Sequence, residues 1–390
     1  MSKLEIVPAN EADNIKEIAA LTVRQLEARY PTPEPILRGV HAKDHGCVKA
    51  TFKVHENLPE YLRVGVLACA GREYEALIRF SNASVSLDPD STPGPGGVAM
   101  HGSRGMAVKL LGVAGTPLVP SAEPLTQDFV MVNQPVFAFA NVEDYLVLSR
   151  IVLDAIGQPP AFFPTAFGGA FSAQAKLTDE HGQPTLKAAQ ARRTLEIVGR
   201  VRSHVTTGTP PAAPGAFQNP PASPLDNQYF SAAPFLLGEN YAVKFSAKPV
   251  APVSGEPFEI TDPRYLRIAL HKRLTGAAAR DTVFTFQVQP RTARELAPKI
   301  ATDIEDATVP WDATEHPFVD VATITIPPQD FETDERRALC ESLTFSPWNG
   351  LAEHRPLGGI NRLRRPVYVA SSHHRLGAKG SGGCPMSGLA

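Results

Sequence analysis

The chain has 390 residues, with 38 basic and 40 acidic side chains and a formal net charge of −2. That near-neutral balance gives no reason to expect nucleic acid or an anionic membrane surface as a partner. No stretch reaches the roughly 18 apolar residues of a membrane span, and the opening "MSKLEIVPANEADNIKE" lacks the apolar run of a signal peptide. The 37 prolines point to many ordered turns and long surface connections rather than a helical bundle. Cys47, Cys69, Cys340 and Cys384 have no paired zinc-type spacing, and read as reduced thiols of a cytoplasmic protein.

The first element expected is a helix from Asn10, as cap, through about Arg29. Ile15, Ile18, Ala19, Val23 and Leu26 fall there at three- and four-residue steps, and "YPTPEP" stops it. In "CVKATFKVH" the residues Val48, Ala50, Phe52 and Val54 alternate with Lys49, Thr51, Lys53 and His55, the pattern of a strand with one buried face. Further strands are expected at "ALIRFS", "MAVKLLG", "DFVMV", "YAVKFSA", "TVFTFQVQ" and "VDVATITI". Their spread and the turns between them argue for a large antiparallel sheet or barrel, hence an α+β chain rather than βαβ alternation. "QPTLKAAQARRTLEIVGRV" and "DERRALCESL" read as helices, and the Pro/Ala-rich 207–224 as a long excursion within one domain. The final eleven residues, "GSGGCPMSGLA", read as a flexible tail.

Four stretches carry candidate chemistry. In "NRLRRPVYVASSHHRLG" a single tyrosine, Tyr368, sits among Arg362, Arg364, Arg365 and Arg375. On a helix Arg364, Tyr368 and Arg375 share one face, and Pro366 predicts that this helix begins near Arg365. Nearby cations favour a phenolate, and tyrosinate is an axial ligand of haem iron; the alternative is an exposed basic helix with a half-buried aromatic. In "ILRGVHAKDHG", His41 follows Arg38, Gly39 and Val40 and is either a general acid–base or structural. In "ALIRFSNAS", Arg79 lies within an apolar strand, which demands a carboxylate partner unless it faces outward; Ser81 shares its face. In "QDFVMVNQPVF", Asn133 ends an apolar strand and either caps it or points a donor into a pocket.

Taken in order, these pieces resemble the haem catalases. "RGVHAKDHGCVKATF" is similar to that family's distal-histidine segment, and "RFSNAS", "RGMAVKLLG" and "VNQPVF" to the strands and turn that follow. "RRPVYVASSHHRLG" keeps the proximal spacing, Arg-x-x-x-Tyr with Arg-Leu-Gly beyond. The resemblance implies a large antiparallel β-barrel with surrounding helices and haem b buried between the barrel and a C-terminal helix. It implies residues 1–35 as N-terminal helix and arm, 36–378 as the haem-binding core and 379–390 as tail. It makes Tyr368 the iron ligand, with Arg364 hydrogen-bonded to its oxygen. His41 becomes the distal acid–base supported by Ser81, Asn133 the distal amide, and Arg38, Arg79 and Arg375 the propionate partners. Val40, just before His41, is counted with the haem-contacting residues.

The chain also departs from the family pattern. It is short, and "VNQPVF" holds one asparagine where catalases have two before Thr-Pro-Val-Phe. Ala370 stands where catalases have an aspartate two residues past the tyrosine, and Val40 stands where the allene oxide synthases have a threonine. "PWNGLAEHRPLGGINR" looks more like the small bacterial catalase-related proteins, which lean to peroxidase chemistry. The implied partners are hydrogen peroxide or an organic or lipid hydroperoxide, and a small organic reductant; a homodimer is one assembly the resemblance allows. The implied activity is that of a catalase-like peroxidase. A fatty-acid hydroperoxide isomerase or lyase and a non-catalytic haem-binding protein are the rivals.

Overall fold

The computed structural model describes residues 4–31, 36–83, 89–93, 99–100, 103–120, 125–137, 139–155, 223–251 and 262–377. The helix expected at 183–201, most of the 207–224 connection and the C-terminal tail lie outside the described residues.

Nine strands form the main sheet: β1 (Asp44–Val54), β2 (Glu73–Asn82), β3 (Arg104–Leu110), β4 (Gln127–Val132), β5 (Tyr229–Phe230), β6 (Phe235–Leu237), β7 (Tyr241–Pro249), β8 (Thr282–Thr292) and β9 (Val319–Ile326). Each neighbour is antiparallel, and pairing runs β8-β9-β1-β2-β3-β4-β5-β7 and back from β7 to β8. Eight strands thus close into a barrel with no free edge, and β6 adds to β7 outside the ring. Each stretch expected as a strand overlaps one of these nine.

Period-two alternation decides what lies inside. Val48, Ala50, Phe52 and Val54 of β1 join Ile78, Phe80, Met106, Val108, Phe129 and Met131 in the largest buried cluster. Phe129 and Phe286 meet at 4.7 Å between ring centroids, with Phe52 and Phe245 packed around them. The intervening residues face out, and the register aligns them in rows. Cys47, Arg79, Ala107 and Val130 form one row; Ser81, Gly105 and Val132 form the next. These two outward rows are one wall of the site described below.

Helices cover that wall. α1 (Glu11–Arg29) begins right after Asn10, although the Asn10 side chain makes no capping bond. It packs on α2 (Val142–Ala155) and α5 (Gly359–Gly377) through Ile18, Leu21, Val142, Leu146 and Leu363. α3 (Tyr265–Thr275) buries Leu266, Leu270 and Leu274, and α4 (Asp334–Ser342) packs against β1. No helix among the described residues is long and apolar enough to cross a membrane.

Candidate functional site

Helix α5 supplies one wall. It starts at Gly359, six residues earlier than Pro366 suggested, and holds Pro366 in its interior. The early start is fixed from outside the helix. Gly359 N–H donates to Glu305 Oε2 at 2.9 Å, and Gly358 takes a positive φ where a Cβ would lie 2.3 Å from the Ile304 carbonyl oxygen. Pro366 removes one helical hydrogen bond, to the Arg362 carbonyl. Arg364, Tyr368, Ser372 and Arg375 then recur along one face. Arg364 donates to Tyr368 Oη from Nε at 3.2 Å and from Nη2 at 3.1 Å, and its guanidinium lies over the Phe137 ring. The tyrosine oxygen therefore accepts two charge-assisted bonds.

Tyr368, Arg375 and the outward rows of β2–β4 line one partly open cavity. Val40, His41, Ser81, Ala107 and Val130 line it from the barrel side, and Thr344 and Phe345 from the segment after α4.

His41 is placed by backbone and neighbour together. Its φ is +55°, a left-handed conformation that a non-glycine residue adopts at a cost. Its Nδ1 lies 2.9 Å from Ser81 Oγ. The ring rests on Gly105, where a Cβ would come within 2.4 Å of Nδ1. Burial, then the charges of Arg79, Arg364 and Arg38, bring the His41 pKa down to about 3, so the ring is neutral at physiological pH.

The cavity holds more positive charge than its described carboxylates neutralise. Arg38 pairs with Glu341 at 3.1 Å and donates to the Cys340 and Leu343 carbonyls at 2.8 Å each. Burial, with Arg79 and Arg375 nearby, brings its pKa down to about 10. Arg375 donates to the carbonyls of Glu341 and Leu343, and its pKa is also lowered by burial. Arg79 is 3% exposed; among the described residues it donates to the Ala42 carbonyl at 3.4 Å, and its Nε finds no hydrogen-bond partner. Among the described residues no carboxylate lies within ion-pair distance of Arg79, although the charge of Asp44 is near enough to interact with it; its strand position does not face solvent.

Asn133 stands apart from this cavity wall. Its Oδ1 accepts from the Arg104 N–H at 2.7 Å, and its amide donates to Asn227 Oδ1 at 3.4 Å. The position fits the strand-capping alternative: alternation turns Val132, beside Gly105 and Ser81, toward the outward face and Asn133 away from it. Arg362 and Arg365, to which the sequence assigns nothing, are both occupied. Arg362 pairs with Glu5, Glu11 and Glu305 at 2.7, 2.5 and 2.8 Å, and Arg365 stacks on the Trp348 ring. Among the described residues no group of three or more His, Cys, Asp or Glu side chains is arranged to hold a bare metal ion.

Two contributors escaped the sequence reading. Gly105 carries no side-chain chemistry, and only its position opposite Ser81 shows that a ring needs its space. Lys109 and Asp128 form a buried outward pair at 2.7 Å, and Asp128 also accepts from Ser346 N–H and Asn349 Nδ2 at 3.0 Å each. The pair anchors the segment carrying Thr344 and Phe345. Burial raises the Asp128 pKa against the pull of Lys109. Two opposite charges within apolar strands were the available signal.

No protein-family model and no curated protein matches the chain. Solved structures do. A fungal catalase superposes with a TM-score of 0.59 at 17% identity, covering 89% of this chain and 60% of that one. Catalase A from Saccharomyces cerevisiae gives 0.56 at 16%, covering 88% and 62%. A bacterial catalase gives 0.54 at 16%, covering 96% and 62%. The matched region spans about three fifths of the length of these catalases. A closed eight-stranded antiparallel barrel, flanking helices and these superpositions together establish a catalase-like fold for this chain.

Proposed function

We propose that this chain binds haem b in the cavity between barrel and α5 and works as a catalase-like peroxidase. One observation carries the reading. Arg79 is buried with an unpartnered Nε, and it shares a cavity with a neutral histidine and an arginine-bonded tyrosine oxygen. Among the described residues its nearest charge complement, Asp44, is not at ion-pair distance, and a carboxylate brought by a ligand would offset the cost of burial.

The donor set fits haem. Tyr368 Oη would be the iron ligand, with the two Arg364 bonds fixing the position of that oxygen. Arg38, Arg79 and Arg375 would meet the two propionates. Bound there, the iron would supply the redox chemistry that breaks a peroxide O–O bond. The protein's own part is proton transfer and positioning. With Nδ1–H donated to Ser81 Oγ, His41 Nε2 keeps a lone pair; it takes the proton of one peroxide oxygen and returns it to the other as that oxygen leaves. Gly105 and Ser81 hold the ring in place during this exchange. A small organic reductant would return the site to its starting state.

Asn133 is left with a supporting role through Arg104 rather than contact with peroxide. That commitment favours the peroxidase reading, because no amide on the described wall stands ready for the outer oxygen of hydrogen peroxide. A second reading, hydroperoxide isomerisation, is favoured by the apolar character of Val40, Ala107 and Val130 near His41. Comparing initial rates of the haem-loaded protein with hydrogen peroxide plus reductant, and with a lipid hydroperoxide alone, separates the two. Sustained product from the lipid hydroperoxide without reductant contradicts the peroxidase reading.

A further inference from the structure

Behind the arginine wall lies a pair of thiols that the proposed chemistry does not use. Cys47 projects outward from β1 in the same row as Arg79, and Cys340 lies near the end of α4. They are 5% and 3% exposed, and with Leu77 and Leu343 they make a small buried cluster of their own. Both thiols are free and belong to that one cluster. Phe345 belongs to both neighbourhoods: it lines the cavity and packs against this cluster.

We propose that Cys47 and Cys340 are a redox modification site, a dithiol that peroxide closes to a disulfide. Geometry supports it in three ways. The two side chains share one small buried cluster between β1 and α4, so closure needs a local approach rather than refolding. The site is positively charged, with Arg79 beside Cys47 in register and Arg38 bonded to the Cys340 carbonyl at 2.8 Å. Cations of this kind favour the thiolate, the reactive form. The segment that would be tied down is the one whose carbonyls, at Cys340, Glu341 and Leu343, seat Arg38 and Arg375. Cys340, on the segment whose carbonyl holds the Arg38 guanidinium, is taken as the attacking sulfur.

The step balances with peroxide as oxidant. Cys340 thiolate attacks one peroxide oxygen, the O–O bond breaks, and the other oxygen leaves as hydroxide or alkoxide and takes up a proton. Cys340 is now a sulfenic acid. Cys47 sulfur attacks the Cys340 sulfur, the S–O bond breaks, and the departing hydroxide leaves as water with the Cys47 proton. Two thiols lose two electrons, and one peroxide gains them. No haem is involved, so this inference and the haem reading can fail separately.

The test uses the full chain with Cys69→Ser and Cys384→Ser, which removes the other two cysteines. The reduced protein is treated with hydrogen peroxide, any free thiols are alkylated, and the digest is read by mass spectrometry. The expected result is loss of both alkylatable thiols and a Cys47–Cys340 cross-linked peptide, lighter by two hydrogens, that dithiothreitol reverses. Cys47→Ser in the same background should let peroxide carry Cys340 to over-oxidised acids without a cross-link. If both thiols still alkylate after peroxide, or if the cross-link forms only in urea, the inference is overturned.

Discussion

Arg362 and Arg79 are both drawn out of solvent, yet their surroundings are opposite. Arg362 meets Glu5, Glu11 and Glu305 at 2.7, 2.5 and 2.8 Å, and its pKa is raised by those carboxylates against the effect of burial. Among the described residues Arg79 has one hydrogen-bond acceptor, the Ala42 carbonyl at 3.4 Å, and no carboxylate at ion-pair distance. A buried charge costs several kcal/mol unless it is paired. Arg362 ties three chain segments to the start of α5, so its pairing is internal and complete. Arg79, with Arg38 and Arg375 nearby, is a charge that the described protein leaves for something else to complete. Within one fold, a saturated arginine marks a structural joint, and on the function proposed above the unsaturated one marks a binding site.

The largest expected effect lies on the unsaturated side. His41→Ala should lower peroxide consumption by the haem-loaded protein about 10²–10⁴-fold, with haem uptake intact by titration. A variant that turns over peroxide at the unchanged rate removes His41 from the mechanism.

On the saturated side, Arg362→Ala should destabilise the chain by about 3 kcal/mol in denaturant unfolding, because it removes the ion pairs of Glu11 and Glu305 and leaves Glu5 with Arg355 alone. A loss under about 1 kcal/mol would put Arg362 among ordinary surface pairs. Arg79→Met sharpens the contrast. It should leave the haem-free protein as stable or slightly more so, while weakening haem binding about tenfold, or about 1.4 kcal/mol. If instead it destabilises as Arg362→Ala does, Arg79 has a partner in the protein and the comparison breaks.

The smallest effect concerns pH. A base must be neutral to accept a proton, and burial heads the causes that bring His41 to about 3. The neutral form therefore dominates above about pH 4, and is lost only as pH falls through the depressed value. Turnover should vary less than about twofold between pH 5 and 7 on account of this group. An acid limb near an ordinary histidine pKa, absent in His41→Gln, would show that the ring is not held neutral.

Much of the fold was legible in the sequence because a barrel writes its inside and outside in alternation. "CVKATFKVH" and "VDVATITI" each show that period, and both are barrel strands. α3 was missed although Leu266, Leu270 and Leu274 recur at four-residue steps; the interleaved Arg267, Lys272 and Arg273 blurred the stripe. The early start of α5 was hidden because Pro366 is a strong local signal, while the anchor at Glu305 lies far off in the chain. Arg79 could be flagged as a charge in an apolar strand, but only the folded barrel shows that its Nε is buried without a hydrogen-bond partner among the described residues. Asn133 and Val132 differ by one step, and a one-residue step in a strand exchanges faces, so motif likeness alone could not say which faces the cavity.

The central claim is that Tyr368, backed by Arg364, holds haem iron in this cavity. Titrating haem into the purified full-length chain and into Tyr368→Phe, followed by absorption spectroscopy, tests it most directly. The expected result is saturable uptake by the native chain, with weaker uptake and a changed ferric spectrum in the variant. No saturable uptake by the native chain, or the same spectrum and affinity in Tyr368→Phe, would contradict it.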